Sequence, residues 1–419
     1  MPDLGAVLED VFRREWPALV GAAARITGDL DRAEEIAQDV LVTALDRWPF
    51  TGVPDRPGAW LLTAARNRAR NVVRDAARAQ ARERAAARPE SVPDETTIHG
   101  NVEEQPIGDD RLRLLFTCCH PMLPDEAQVA LTLRMVGGLS TAEIARAFVV
   151  PVPTMAQRLV RAKRAIADAG VPFVIPERRE WPRRLPGVLA VVYLIFNEGY
   201  AAASGEELTR PLLCAEASRL ASLLADLVPG EPEVAGLLAL LQLQSARLAT
   251  RADEAGDLVL LQDQDRSRWD VSLIRAGELS IERALRLGRP GPMTLQAMVA
   301  VCHARAGSWE RTDWPAIVAL YDDLLAVNPS PVVALNKAIA VSMVSLADGW
   351  VLLDAITELE SYPPLWAARA DVLRRLGRDD EAAVAYRRAA ALGTNEPERR
   401  FLLRRADECD RSSRQGEAS

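Results

Sequence analysis

Pro151 and Pro153 stand one residue apart between two helical hydrophobic patterns, and they dictate what the stretch around them can be. A proline removes a backbone donor and clashes with the preceding turn, so no helix runs through the pair. Before it, Ser140 is an N-cap, and Glu143 completes a capping-box pattern. Ala142, Ile144, Ala145 and Phe148 give a short apolar face. After it, from about Thr154, the residues Met155, Leu159, Ala162 and Ile166 recur at helical spacing. The opposite side of this second segment carries Gln157, Arg158, Arg161, Lys163 and Arg164. The stretch reads helix, turn, helix. An α-helix fits the major groove of DNA, and Arg, Lys and Gln reach guanine, phosphate and adenine there. The same pattern describes an amphipathic helix with a solvated basic face, and the motif by itself does not separate the two.

The remaining chain follows the same helical regime. Its 419 residues are enough for two to four domains. Ala, Leu, Arg and Glu dominate, strand-like runs of Val, Ile and aromatics are scarce, and the expected class is all-α. A net charge of −8 at first argues against nucleic acid, but its distribution matters more than its sum. Between residues 55 and 88 there are nine arginines against Asp55, Asp75 and Glu83. Lysine occurs only at Lys163 and Lys337, so nearly all positive charge is guanidinium, which suits bidentate contacts. Five cysteines without a paired framework fit a reducing cytoplasm. No signal sequence opens the chain, and no apolar run reaches the roughly 18 residues of a membrane span. The longest candidate, residues 185–196, has the length of a buried helix.

In chain order, residues 4–26 are amphipathic and Gly28-Asp29 breaks them. Asp31 is expected to cap a helix over residues 32–47, with Ala33, Ile36, Ala37, Val40, Leu41, Ala44 and Leu45 as its apolar stripe. Glu34, Glu35, Gln38, Asp39 and Asp46 surround the stripe, either as an ordinary solvated face or as a carboxylate-and-amide face for a basic helical partner. Residues 49–57 are a turn-rich link. From Gly58, Trp60, Leu61, Ala64 and Ala65 start one face, and Arg66, Asn67, Arg68, Arg70, Asn71, Arg74 and Arg78 make the following surface basic. Arg neutralises phosphate, and a ring can stack on an unpaired base. A Trp at such a position is more often a core residue. Residues 79–109 are Ala/Arg-rich, then rich in Pro, Glu and Asp, as in a flexible tether. Beyond it, Leu112, Leu115 and Phe116 mark a helix, and Asp125 is expected to cap another that Gly137-Gly138 closes.

These segments, DRAEEIAQDVLVTAL, PGAWLLTAARNRARNVVRD, DEAQVALTLRMVGGLSTAEIARAF and PTMAQRLVRAKRAI, resemble in order and content the extracytoplasmic-function sigma factors, compact subunits of bacterial RNA polymerase. The resemblance covers residues 4–169 and lacks the extra domain that larger sigma factors carry between the two modules. It implies a clamp-binding and minus-10 module at 1–80, a linker at 81–108 and a minus-35 helix–turn–helix at 109–170. The partners it implies are promoter DNA and the clamp coiled coil and flap of polymerase core. Glu34, Glu35, Gln38 and Asp39 would face the clamp. Trp60 would sit beside the melted strand, with Arg66, Asn67, Arg70, Asn71 and Arg74 holding the minus-10 strand and upstream backbone. Thr154, Gln157, Arg158, Arg161 and Arg164 would meet the minus-35 element.

The long remainder resembles the sigma subgroup with a tetratricopeptide-like tail, and YLIFNEGYAAASG and LNKAIAV look like signatures of that tail. Asn197, Glu198 and Tyr200 are read as buried polar ties between helices, with a ligand site as the alternative. Tyr321, Leu324 and Pro329, and more fully Trp366, Ala370, Leu373, Ala382, Tyr386 and Ala389, have repeat-like spacing over the expected helical region 171–410. Such a stack leaves a concave groove that usually takes a peptide or protein. Residues 411–419 are expected to fray. Cys118-Cys119-His120 and Cys302-His303 lack the spacing of a zinc site, no phosphate loop or nucleophile elbow is present, and neither cofactor nor catalytic activity is expected. A repeat-bearing helix–turn–helix regulator acting without polymerase is the alternative; it leaves the basic 60–78 stretch and the acidic helix at Glu34 unexplained.

Overall fold

The protein is described here from a computed structural model, which describes residues 4–86, 107–148, 150–202 and 204–417. Most of the expected tether, including His99, lies outside the described residues. The chain divides into two units: residues 1–146 with 150–191, and residues 147–149 with 192–419.

The first unit begins with α1 (Leu4–Thr27), α2 (Leu30–Thr51) and α3 (Pro57–Ala86). They enclose Leu19, Val20, Ile36, Val40, Trp48 and Leu61. Asp29, not Asp31, caps α2: its Oδ1 accepts from the amides of Asp31 and Arg32 at 2.8 and 3.1 Å. Gly28, at φ +68°, turns the chain so that the cap falls two residues earlier than the charge pattern suggests. The helix also runs past Pro49 to Thr51, because a proline in the last turn forfeits a single intrahelical bond. The link is therefore residues 52–56. α3 extends to Ala86, since Ala and Arg at residues 79–86 are strong helix formers.

Next come α4 (Ile107–Cys118), α5 (Asp125–Met135), α6 (Thr141–Ala147) and α7 (Val152–Asp168). Pro124, rather than Asp125, holds the N-cap position of α5, and Asp125 lies in the first turn, where the helix dipole favours it. The capping box on α6 is formed: the Ser140 amide donates to Glu143 Oε2 at 2.7 Å, and the Glu143 amide to Ser140 Oγ at 3.1 Å. α7 starts two residues before Thr154, with Pro153 in its first turn, and buries Met155, Leu159, Ala162 and Ile166.

Although sequence suggests two tethered modules, α1 packs directly on α4 within this unit. Gly21 makes the approach possible, as a Cβ there would lie 2.8 Å from the Asp110 carbonyl oxygen. Asp110 is buried and pairs with Arg25 at 3.1 Å and Arg113 at 2.6 Å. Trp16 donates from its indole to the Arg134 carbonyl at 3.1 Å.

α8 (Trp181–Tyr200) passes from the first unit into the second. The region expected to begin at 171 thus gives its first part to the first unit. Trp181 lies 6.3 Å from the Phe116 ring, and Arg184 donates to the Phe116 carbonyl at 3.0 Å.

The second unit continues through α9 (Pro211–Leu227), α10 (Pro232–Ser245), α11 (Val271–Leu287), α12 (Pro292–Arg305), α13 (Trp314–Val327) and α14 (Pro331–Val344). It ends with α15 (Leu346–Asp354), α16 (Pro363–Arg375), α17 (Asp379–Leu392) and α18 (Glu396–Glu417). α16, α17 and α18 bury Ala370, Leu373, Ala382, Tyr386, Ala389 and Ala406 in one cluster. α18 carries helix over residues 411–417, where fraying was expected. The ends of this unit meet. Ser204-Gly205 pairs in parallel with Thr394-Asn395, Asn395 Nδ2 donates to the carbonyls of Ala202 and Glu207, and Arg400 and Arg404 pair with Asp257. Among the described residues, no helix is long and apolar enough to cross a membrane.

Candidate nucleic-acid and polymerase surfaces

α7 buries one face and leaves Thr154, Gln157, Arg161 and Arg164 exposed on the other. Arg161 donates to Gln157 Oε1 at 3.2 Å, and Arg164 pairs with Asp168 at 3.4 Å. Both partners lie on the same helix, so these bonds pre-orient the guanidiniums along the exposed face. Arg158 turns toward α5 and pairs with Glu126 at 2.7 Å, half-buried itself while Glu126 is open to solvent. Val160, 57% exposed, lies on the outward face and was not singled out from sequence.

α3 presents Asn67, Arg68, Arg70, Asn71 and Arg74 to solvent. Arg74 donates to Asn71 Oδ1 at 2.8 Å. Arg66 is half-buried, and Trp60 packs edge-on against the buried Trp48 with ring centroids 5.5 Å apart. Trp60 is thus partly core and partly surface.

The four acidic or amide residues of α2 do not share one environment. Glu35, Gln38 and Asp39 are exposed, and Asp39 pairs with Arg68 of α3 at 3.0 Å. Glu34 is buried. Its Oε1 accepts from Arg134 Nε of α5 at 2.6 Å and its Oε2 from Lys163 Nζ of α7 at 2.9 Å. Lys163 also pairs with Asp31, and Arg134 Nη1 donates to the Leu139 carbonyl at 2.8 Å. Burial would raise the Glu34 carboxyl, but Arg134 and Lys163 outweigh it and hold the group below its usual range. Burial likewise opposes the charge on Lys163, and Asp31 and Glu34 raise its ammonium above the ordinary value.

Sequence reading placed Glu34 on the polar side and missed Arg134 and Lys163 as its partners. The available signal was its spacing: Glu34 falls on one face with Ala37 and Leu41, at the edge of the apolar stripe. Neither cysteine–histidine motif gathers further ligands. Cys118 and Cys119 are buried, and Cys119 Sγ lies 3.5 Å from Thr132 Oγ1. Among the described residues, no group of three His, Cys, Asp or Glu side chains is placed to hold a metal.

Comparison with known proteins places families on these elements. Residues 11–79 match sigma-70 region 2, residues 113–166 match sigma-70 region 4, and residues 184–285 match a family of unknown function, DUF6596. An uncharacterized protein of Rhizobium meliloti (strain 1021) is 42% identical over 393 residues, spanning 93% of both chains. No solved structure matches. With region 2 on α1–α3, region 4 on α4–α7 and a helical extension after them, the chain belongs to the sigma-70 family of transcription initiation factors.

Proposed function

We propose that this chain is a sigma subunit of the extracytoplasmic-function kind, which binds RNA polymerase core and directs it to particular promoters. The observation that carries the reading is the pair of exposed basic faces, on α3 and α7, together with the acid-and-amide face of α2. Gln157, Arg161 and Arg164 meet base edges and phosphates at the minus-35 element, with Thr154 beside them. Arg158 joins them by exchanging Glu126 for DNA. Arg66, Asn67, Arg70, Asn71 and Arg74 track the minus-10 backbone and opened strand, with Trp60 propping a base. Arginine contacts to phosphate set register, and base-edge contacts supply specificity. Glu35, Gln38 and Asp39 are available to the polymerase clamp; Glu34 joins them when it exchanges Arg134 and Lys163 for the clamp. The compact first unit is then a resting form, and polymerase opens it.

The second unit, a tetratricopeptide-like stack, regulates this activity from the same cytoplasmic chain. The test is in vitro transcription with purified polymerase core and the full-length protein. Promoter-specific transcripts that require the protein support the reading. Promoter DNA binding without association with core would instead identify a free-standing helix–turn–helix regulator. Failure to bind either partner removes both readings.

A further inference from the structure

The second unit holds a cavity of about 210 Å³ that the transcription reading leaves unused. α8, α10, α12, α13 and α14 line it, with the turns near Leu261 and Trp269, and it opens partly to solvent. Its polar lining is Tyr193, Gln244, Arg247, Gln296, His303 and Asn336. Aliphatic groups such as Leu243 and Val299, and the rings of Trp269 and Tyr321, form the remaining walls. None of the described residues lining it is acidic. Tyr193 comes from YLIFNEGY and Asn336 from LNKAIAV, so the two sequence signatures of the tail converge on one space.

Positive charge gathers on one side of this space. Arg247 Nε and Nη2 donate to Gln244 Oε1 at 3.1 and 2.7 Å, which fixes one edge of the guanidinium and leaves Nη1 outside that pairing. Behind it, Arg251 lies 3.9 Å over the Tyr200 ring, with a buried Nε that has no acceptor. Arg266 Nη1 donates to the carbonyls of His303 and Ala306, and its Nη2 is buried without an acceptor. His303 stacks on Trp309, and its buried Nδ1 has no partner. The carboxylates that act on this group are Glu398, which faces Arg251, and Glu310, which faces Arg266. Among the described residues, Arg247 is acted on by Tyr200, Arg251 and Arg266, and no carboxylate offsets it. Burial first, and then Arg247 and Arg266, push the His303 imidazole down to about 4. Buried cations are ordinarily paired, because an unpaired charge is costly to desolvate.

We propose that this cavity binds a small organic carboxylate. The anionic group lies against Arg247 and His303, Gln296 and Asn336 hydrogen-bond a neutral polar substituent, and the apolar walls take the carbon skeleton. The volume falls below the roughly 300–1,000 Å³ of sites for drug-sized ligands, so the occupant is metabolite-sized. One guanidinium on the lining, among apolar walls, suits a singly charged carboxylate better than a phosphate, which calls for more donors.

The full-length protein is titrated by calorimetry and thermal shift with benzoate, 4-hydroxybenzoate, 4-hydroxybenzamide and inorganic phosphate. At least one of the two carboxylates is expected to bind saturably at one site and raise Tm, with the amide at least tenfold weaker and phosphate weaker still. Arg247→Met should weaken binding at least tenfold and Arg247→Lys by less. Asn336→Leu and Gln296→Leu should narrow the preference for 4-hydroxybenzoate over benzoate. Binding should take up protons at about pH 5, since an anion beside His303 raises its pKa. Circular dichroism of each ligand-free variant separates a folding defect from lost affinity, and the two amide-to-leucine variants test the cavity if Arg247→Met does not fold. Absence of saturable one-site binding by both carboxylates, equal binding of the amide, or undiminished affinity in all folded variants overturns the proposal. Stronger binding of phosphate overturns the carboxylate assignment. Because the readout is binding and not RNA synthesis, a negative result here leaves the sigma reading standing, and loss of that reading leaves this site standing.

Discussion

Glu34 shows how a charged side chain on an otherwise exposed acidic face can be committed to packing. Its carboxylate is buried between Arg134 and Lys163, and its folded pKa lies below the usual value. A lowered carboxylate pKa stabilises the folded form above the unfolded value, about 4.3, and that contribution is lost as pH falls through the folded value. Lys163 has the opposite sign: its raised pKa keeps the pair intact until pH climbs through a value above about 10.4. The pairing is therefore insensitive to pH near neutrality and fails under acid. Glu34→Gln should cost about 3 kcal/mol, the lower end for a broken buried pair, because Lys163 keeps Asp31 and Arg134 keeps the Leu139 carbonyl. Chemical denaturation at pH 7 and pH 4 measures this, and the variant's deficit should shrink at the lower pH. An equal deficit at both values would mean that charge is not what Glu34 contributes. Arg158 and Arg161 behave differently. Their partners, Glu126 and Gln157, are exposed, and such pairs contribute about 0–1 kcal/mol, so alanine at either position should leave Tm nearly unchanged. If either makes a bidentate base contact, promoter use should fall by about 1–3 kcal/mol, or roughly 5- to 150-fold. Runoff transcription from a matched promoter and a minus-35 mutant measures it, and equal losses on both templates would reassign the side chain to phosphate.

At the scale of helices, the approach of α1 to α4 is governed by Gly21. A Cβ at this position meets the Asp110 backbone, which cannot rotate away as a side chain would. Gly21→Val should push the helices apart at a cost of about 1–3 kcal/mol, typical of overpacking. The Trp16 indole N–H signal in NMR should then shift toward its solvent-exposed position as its bond to the Arg134 carbonyl lengthens; an unmoved signal would show that the contact tolerates the added bulk. This packing was not legible in the sequence, because two amphipathic patterns separated by a long polar segment say nothing of whether their outer faces meet. What was legible is what local chemistry decides. The buried quartet of α7 follows from helical spacing, and the Ser140–Glu143 box follows from two side chains three residues apart. The cap of α2 was placed two residues late because the pattern of charge outweighed the turn that Gly28 permits. Glu34 was assigned to the outer surface because only its short-range neighbours were visible. The cation-lined cavity was hidden for the same reason: its lining comes from segments as distant as Tyr193 and Asn336, and no single helix carries the pattern.

For the whole molecule, α8 decides where the chain can be cut. A boundary at Gly170, natural from the end of α7, removes Trp181 from the Phe116 ring and Arg184 from the Phe116 carbonyl. Trp181 is half-buried, so removing its ring costs less than the roughly 1.5–3 kcal/mol of a fully buried side chain, on the order of 1 kcal/mol. A buried carbonyl left without its donor adds about 1–3 kcal/mol. A chain ending at Val191 keeps both contacts, so it should resist urea better than one ending at Gly170 by about 2–4 kcal/mol. Equal midpoints and slopes would show that the first part of α8 does not support region 4. The longer fragment is then the proper reference for the extension. Mixed with polymerase core, the full chain and residues 1–191 should differ in transcript yield from the same promoter, because only the full chain carries the helical stack proposed to regulate it. Using the shorter fragment would confound that comparison, since a loss of output could come from a loosened region 4 instead of a missing control element. If the stable fragment and the full chain give the same yield at every ratio of protein to core, the extension does not act on initiation by itself, and any control by it must depend on something bound to it.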